Sequence, residues 1–213
     1  MKGVAVVSKK GGVGKTALAH ALALGAAWHH IPAYLMHTDD RTPLTVQGRP
    51  YMYYDACKPE VLQTLMSAAL NEDGLCAIDS GGNRPEFDAW IAESVDLVLV
   101  PVTPDREAVR EGIAHVKRLE NAGAKNARFI INMYPSSQNE RRYVTRYFDE
   151  LPNEKIMGRI GSVRAIRTLS EDDHPKFETP SSKVNNLART LYCQVRDALE
   201  QQELRSSKVK KTA

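Results

Sequence analysis

The sequence predicts an α/β fold: a mostly parallel, twisted sheet flanked by helices on both faces. Three observations carry that prediction. Short, nearly continuous apolar runs such as VDLVLVPV, Val95 to Val102, read as strands buried on both faces. They alternate with amphipathic stretches of helical period. The first apolar run enters a glycine-rich turn and then an Ala/Leu-rich segment, the strand–loop–helix unit from which such sheets are built.

In chain order, Val4 to Ser8 reads as the first strand and Thr16 to His29 as the first helix, rich in Ala and Leu. Ala33 to Thr38 is the second strand, and Tyr51 to Tyr54 a short edge strand. Pro59 to Asn71 reads as a helix, with Val61, Leu62, Leu65, Met66 and Ala69 on one face. Strands follow at Leu75 to Asp79 and Val95 to Val102. Asp105 to Ala122 is helical, with Val109, Ile113, Val116 and Leu119 as its buried stripe. Arg128 to Asn132 is a strand, Glu140 to Glu150 a helix, Lys155 to Ile160 a last strand, and Ser181 to Leu204 a long C-terminal helix. There are no internal repeats.

A chain of 213 residues is long enough for one domain with a sizeable core, placed here at 1–204, and no Pro/Gly/Ser-rich linker divides it. The last nine residues, RSSKVKKTA (205–213), read as a basic, disordered tail. Three cysteines far apart in sequence fit a reducing cytoplasm. No apolar run is long enough to span a membrane, and the chain opens straight into a strand rather than a leader. The net charge of +3 is too mild to imply a nucleic-acid partner by itself.

The stretch that carries chemistry is SKKGGVGKTALA, Ser8 to Ala19. Gly14, Lys15 and Thr16 complete a phosphate-binding loop, but the glycine expected at its start is replaced by Lys9, and Lys10 follows. Gly11, Gly12 and Gly14 let the backbone around Val13 turn its N–H groups inward, and the helix N-terminus from Lys15 through Ala17 adds its positive end. Lys15 reaches the β- and γ-phosphates, and the Thr16 hydroxyl ligates Mg2+. The competing reading, a glycine-rich turn before a helix, leaves the Lys-Thr pair unexplained. Lys9 reads as solvent-facing.

The run KGGVGKT is a deviant Walker A motif, and the chain here resembles the ParA/MinD family of ATPases. The resemblance implies ATP and Mg2+ as cofactors and a homodimer formed on ATP binding. It also implies that Lys10 reaches the partner subunit's ATP, where a cation offsets repulsion between triphosphates. The alternative is that Lys10 adds positive charge within its own subunit.

Phosphoryl transfer needs a metal and a positioned water. The strand Leu75 to Asp79 ends in a carboxylate, a Walker B pattern, so Asp79 is the candidate Mg2+ holder, and the following SGGNRPEF offers a γ-phosphate sensor. The family carries D-x-D-P-Q after its second strand. Here the strand reads AYLMHTDDR, which puts His37 at the first aspartate, Asp39 at the second, Asp40 at the proline and Arg41 at the glutamine. The resemblance gives Asp39 the water-orienting role, and a one-residue slip would give it to Asp40. Asn132, ending the strand FIIN, is the family's adenine reader by resemblance; an asparagine capping a strand end is the competing reading. The resemblance runs from Met1 to about Asn132.

Several other residues invite function and are better read as structure. His29 and His30 close a helix, where the dipole favours them. Trp28, Trp90, Tyr51, Tyr53 and Tyr54 read as packing.

Arg141, Arg142 and Arg146 fall on one helix, followed by Arg159, Arg164, Arg167, Lys176 and Lys183. Doubled in a dimer, such a patch suits non-specific DNA. Solvated helix faces explain the same charges, since Glu140, Asp149, Glu171, Asp172 and Asp173 are interspersed. The C-terminal EQQELRSSKVKKTA offers only Leu204 and Val209 as apolar anchors, too few for membrane insertion. The expectation is a cytoplasmic, nucleoid-associated ParA-like ATPase that partitions or positions DNA or other cargo and turns over slowly without a ParB-like partner or cargo adaptor. The alternatives are a slow, nucleotide-gated module accessory to plasmid maintenance or conjugation, a MinD-like positioning ATPase, and an enzyme with a small-molecule acceptor.

Overall fold

The computed structural model describes residues 1–39, 44–45, 47–69, 72–81, 84–171 and 176–212, with the side chains at 205, 206 and 208–212 set aside. Seven strands form one sheet, all paired in parallel: β1 (Lys2–Val6), β2 (Ala33–His37), β3 (Met52–Asp55), β4 (Leu75–Asp79), β5 (Leu97–Val102), β6 (Ala127–Tyr134) and β7 (Ile156–Gly161). Their order is β3-β2-β4-β1-β5-β6-β7, so the loop-bearing β1 lies at the centre.

Period-two alternation sorts each strand between two cores. Val4, Val6, Leu35 and Ala77 face one layer of helices, α1 (Lys15–Trp28) and α6 (Ser182–Thr212). Ala5, Val7, Met36 and Ile78 face the other, α2 (Pro59–Ala69), α3 (Pro85–Ser94), α4 (Arg106–Asn121) and α5 (Gln138–Phe148). The expected doubly covered sheet is present.

α1 is buried on nearly every side because it is sandwiched between the sheet and α6. A Cβ at Gly25 would run into the carbonyl of Ala188, so the two helix backbones touch there. On α6, Val184, Ala188, Leu191 and Val195 recur at helical spacing to form the facing stripe.

Two elements differ from the sequence reading. α3 falls where no helix was expected; Pro85 in its first turn and the acidic Glu86 and Asp88 are ordinary start signals, but its apolar stripe is short. The backbone of α6 continues past Leu204 to Thr212, where a disordered tail was expected. No glycine or proline interrupts that stretch, so nothing local ends the helix.

Candidate nucleotide site

Parallel strands deliver their C-terminal ends to one edge of the sheet, and the site is built there. The register sets Val6 beside Asp79 and Asp79 beside His37, so three adjacent strands end level. The phosphate loop leaves β1 and becomes α1 at Lys15. Gly12 (φ 75°) and Gly14 (φ 92°) take the left-handed backbone that turns the chain. The first turn of α1 holds no acidic residue, which leaves its positive end open to an anion.

Lys9, Gly11, Gly12, Gly14, Lys15, Thr16, Ala17, Asp39 and Asn132 line one cavity of about 550 Å3, the size of a nucleotide pocket. Lys9 is exposed at its rim, as expected. Val13 is buried, and it is the loop's point of attachment: the Asn132 amide donates from Nδ2 to the Val13 carbonyl at 2.8 Å. A Cβ at Gly14 would strike that same amide. Asn132 therefore braces the phosphate loop from β6.

Asp79 is wholly buried behind the cavity, and among the described residues neither carboxylate oxygen accepts a hydrogen bond. Its Oδ2 lies 3.4 Å from His37 Nδ1. A buried carboxylate of this kind calls for a cation. Among the described residues no cluster of three or more His, Cys, Asp or Glu forms a protein-only metal cage. One hydroxyl and one carboxylate, completed by phosphate and water, is the pattern of Mg2+ with a nucleotide, and Thr16 with Asp79 fits it.

Asp39, half-buried, lies on the cavity wall. Thr38, which sequence reasoning passed over, stitches its loop to the Asp79 strand. The Thr38 hydroxyl donates to the Asp79 carbonyl at 2.9 Å and accepts from Gly81 N at 3.3 Å. Gly81 passes so close that a Cβ there would lie 2.7 Å from Asp39 Cα. Asp40, the alternative to Asp39, and Arg41 lie outside the described residues, as do Gly82 and Asn83 of the sensor segment.

Lys10 does not line the cavity. Its ammonium lies 2.9 Å from Asp105 Oδ1 and 2.9 Å from Glu107 Oε2 at the start of α4. Burial pulls its pKa down, but the bonds to Glu107 and Asp105 outweigh this and leave it raised. Asp105 also caps α4, accepting from Ala108 N at 2.8 Å.

The opposite wall comes from a 3-10 turn, Arg164–Ser170, for which the sequence offered no signal. Arg164 and Arg167, spaced so that they eclipse in such a turn, line the cavity with Val163, Ile166 and Met133. Two arginines grouped by sequence with those of α5 thus stand at the same cavity as Lys15 and Thr16. Arg141, Arg142 and Arg146 do share α5 and are exposed, and Arg141 and Arg159 both ride the Tyr134 ring, at 5.5 and 5.4 Å.

Behind His37, Tyr53 lies against both His37 and His20. Arg49 donates to the Tyr51 oxygen at 2.9 Å, and the Tyr51 hydroxyl is hydrogen-bonded to His20 Nδ1, 2.8 Å away. Burial holds His20 neutral, its pKa well below the usual range. The aromatic residues here are packing, as expected.

No family model and no curated protein matches the sequence. Solved structures do. MinD of Pyrococcus horikoshii, complexed with Mg-ADP, superposes with a TM-score of 0.67 over 91% of this chain and 95% of its own, at 15% identity. The chain has the fold of the MinD and ParA-family ATPases. A ParA-family ATPase from Chlorobium tepidum TLS gives 0.66 over 90% of this chain and 97% of its own, at 14% identity. A variant of Cyanothece McdA in complex with ATP gives 0.65 over 94% and 96%, at 15% identity. In this MinD/ParA fold the loop after β1 and the ends of β2 and β4 form the cavity just described. Among the described residues no helix is long and apolar enough to cross a membrane.

Proposed function

We propose that this chain is a ParA-like ATPase that binds ATP with Mg2+, dimerises on it and hydrolyses it slowly to partition or position DNA or another cargo. The observation that supports it best is the convergence of Lys15, Thr16 and Asp39 on one cavity, with Asp79 buried behind it. MinD was solved with Mg-ADP and McdA with ATP in the same fold.

In this reading the loop amides and Lys15 hold the phosphates, and Asp39 orients the attacking water. Thr16 and Asp79 would hold Mg2+, which would supply neutralisation of phosphate charge. Lys10 leaves its carboxylates and meets the second subunit's triphosphate. The exposed arginines of α5 supply non-specific DNA contacts, and a ParB-like partner or cargo adaptor accelerates turnover. Hydrolysis is slow because His37 stands against Asp79 where the family carries a carboxylate. The same residue favours the second reading, a nucleotide-gated module that hardly turns over.

The test is the solution mass with ATP–Mg2+, with ADP and as Lys10→Ala with ATP, each with and without random-sequence DNA. The proposal expects a dimer with ATP alone, its loss in Lys10→Ala, and salt-sensitive DNA binding by the dimer. A monomer with ATP bound sinks the dimer-switch reading. An ATP dimer that ignores DNA sinks the partition role.

A further inference from the structure

We propose that Arg84, at the cap of α3, and Asp88, one turn further on, are positioning residues that hold the strand ends bearing Asp39 and Asp79 in register. The inference rests on the hydrolysis proposed above. Asp88 N donates to Arg84 O at 2.8 Å, so the two residues close the first turn of α3. From that turn each side chain reaches a different segment of the site.

Asp88 is 3% exposed, and its carboxylate accepts from Ser80 Oγ at 2.5 Å. Ser80 follows Asp79 directly. A buried carboxylate costs several kcal/mol unless it is compensated, and an apolar side chain would fill the same space without that cost. What the carboxylate adds is a directed hold on Ser80. Arg84 donates to the backbone carbonyl of Thr38, and from Nη1 to that of Cys57 at 3.0 Å. Thr38 precedes Asp39 directly. The guanidinium rides the Phe87 ring at 4.4 Å, and Phe87 stacks on Trp90 at 5.7 Å, which fixes its height above the helix. The Thr38 hydroxyl joins the two grips by bonding both the Asp79 carbonyl and Gly81 N. One helical turn thus sets the distance between the carboxylate that orients water and the carboxylate that holds metal.

The experiment compares the full chain with Asp88→Ala, Asp88→Asn, Ser80→Ala, Ser80→Ala/Asp88→Ala, Arg84→Ala and Arg84→Lys. Phosphate release gives kcat and KM. A fluorescent ADP analogue gives affinity with and without Mg2+, and thermal melts report folding. Asp88→Ala, Ser80→Ala and Arg84→Ala should each lower kcat roughly ten- to a hundredfold, with Mg2+-free ADP affinity unchanged. The Ser80/Asp88 pair should be no worse than its worse single change. Asp88→Asn, whose amide oxygen still accepts, should recover most activity. Arg84→Lys should not, since one ammonium cannot span two carbonyls in the guanidinium's plane. The gain in ADP affinity on adding Mg2+ should shrink in Asp88→Ala and Ser80→Ala. Wild-type kcat in those two variants, or additive losses that track melting temperature, would overturn the proposal. A wild type that binds ADP but releases no phosphate removes the hydrolysis reading; the Mg2+ gain then still decides whether Asp88 positions Asp79.

Discussion

Lys10 and Asp105 form an ion pair, Nζ to Oδ1 at 2.9 Å, that joins the mouth of the phosphate loop to the cap of α4, with Glu107 as a second anchor at 2.9 Å. The two anchors differ in what else they do. Asp105 also accepts from the Thr103 hydroxyl at 2.6 Å and caps the helix, whereas Glu107 is mostly exposed. Glu107→Gln should change stability by less than about 0.5 kcal/mol, and Asp105→Ala should cost about 1 kcal/mol through the lost cap. A lysine held within its own subunit must leave both carboxylates to meet a second copy. Glu107→Gln should therefore lower the ATP concentration needed for association, read by light scattering against ATP.

Gly81 tests the spacing of the two carboxylate loops. Its missing Cβ would lie 2.7 Å from Asp39 Cα and 3.0 Å from the Thr38 carbonyl, and backbone atoms have little room to yield. Gly81→Ala should lower kcat roughly ten- to a hundredfold with ADP affinity little changed, measured by steady-state phosphate release.

Gly25 tests the seam between α1 and α6. An alanine there gains about 1 kcal/mol of helix propensity, but its methyl group meets the Ala188 carbonyl and the Tyr192 Cβ. Overpacking against backbone costs about 1–3 kcal/mol, so the clash should win and the melting temperature should fall.

Acid should weaken the fold through its buried histidines. Burial, aided by Arg118, Lys15 and Lys9, pushes His115 down to about 4, while an unfolded histidine titrates near 6.5. Between those values the unfolded chain binds more protons, so stability falls as pH drops from about 6.5 toward 4 and is indifferent to this group above that window. His20 acts in the same direction. Burial raises Asp88, so the folded chain takes that proton first and partly offsets the loss. Thermal melts from pH 8 to 4 should show the decline, and His115→Gln should flatten part of it.

The sequence made the phosphate loop and the Asp79 strand legible because each follows from local order: apolar run, glycines, lysine, helix; apolar run, carboxylate. The sheet was legible for the same reason, since alternation of buried runs and amphipathic stretches is local. Arg84, Asp88 and Thr38 were not. Their significance is that segments far apart in the chain end side by side, which no local pattern encodes. The Arg164–Ser170 turn has no apolar period to announce it. Asn132 was read for its chemistry at a strand end, yet its contact with Val13 depends on β6 lying one strand beyond β1's neighbour β5. Lys10's cis partners follow from β5 lying next to β1, a fact of topology.

The burial of α1 divides the site into a part that holds still and a part that adjusts. The helix carrying Lys15 and Thr16 has sheet on one side and α6 on the other, with no slack at Gly25. The wall carrying Asp39 and Gly81 is held instead by individual hydrogen bonds, from the Thr38 hydroxyl to Asp79 and Gly81 and from Arg84 to the Thr38 carbonyl. In the proposed reading a nucleotide docks onto a fixed anvil, and the difference between one bound phosphate chain and another is registered across the cavity, by the loops that face it.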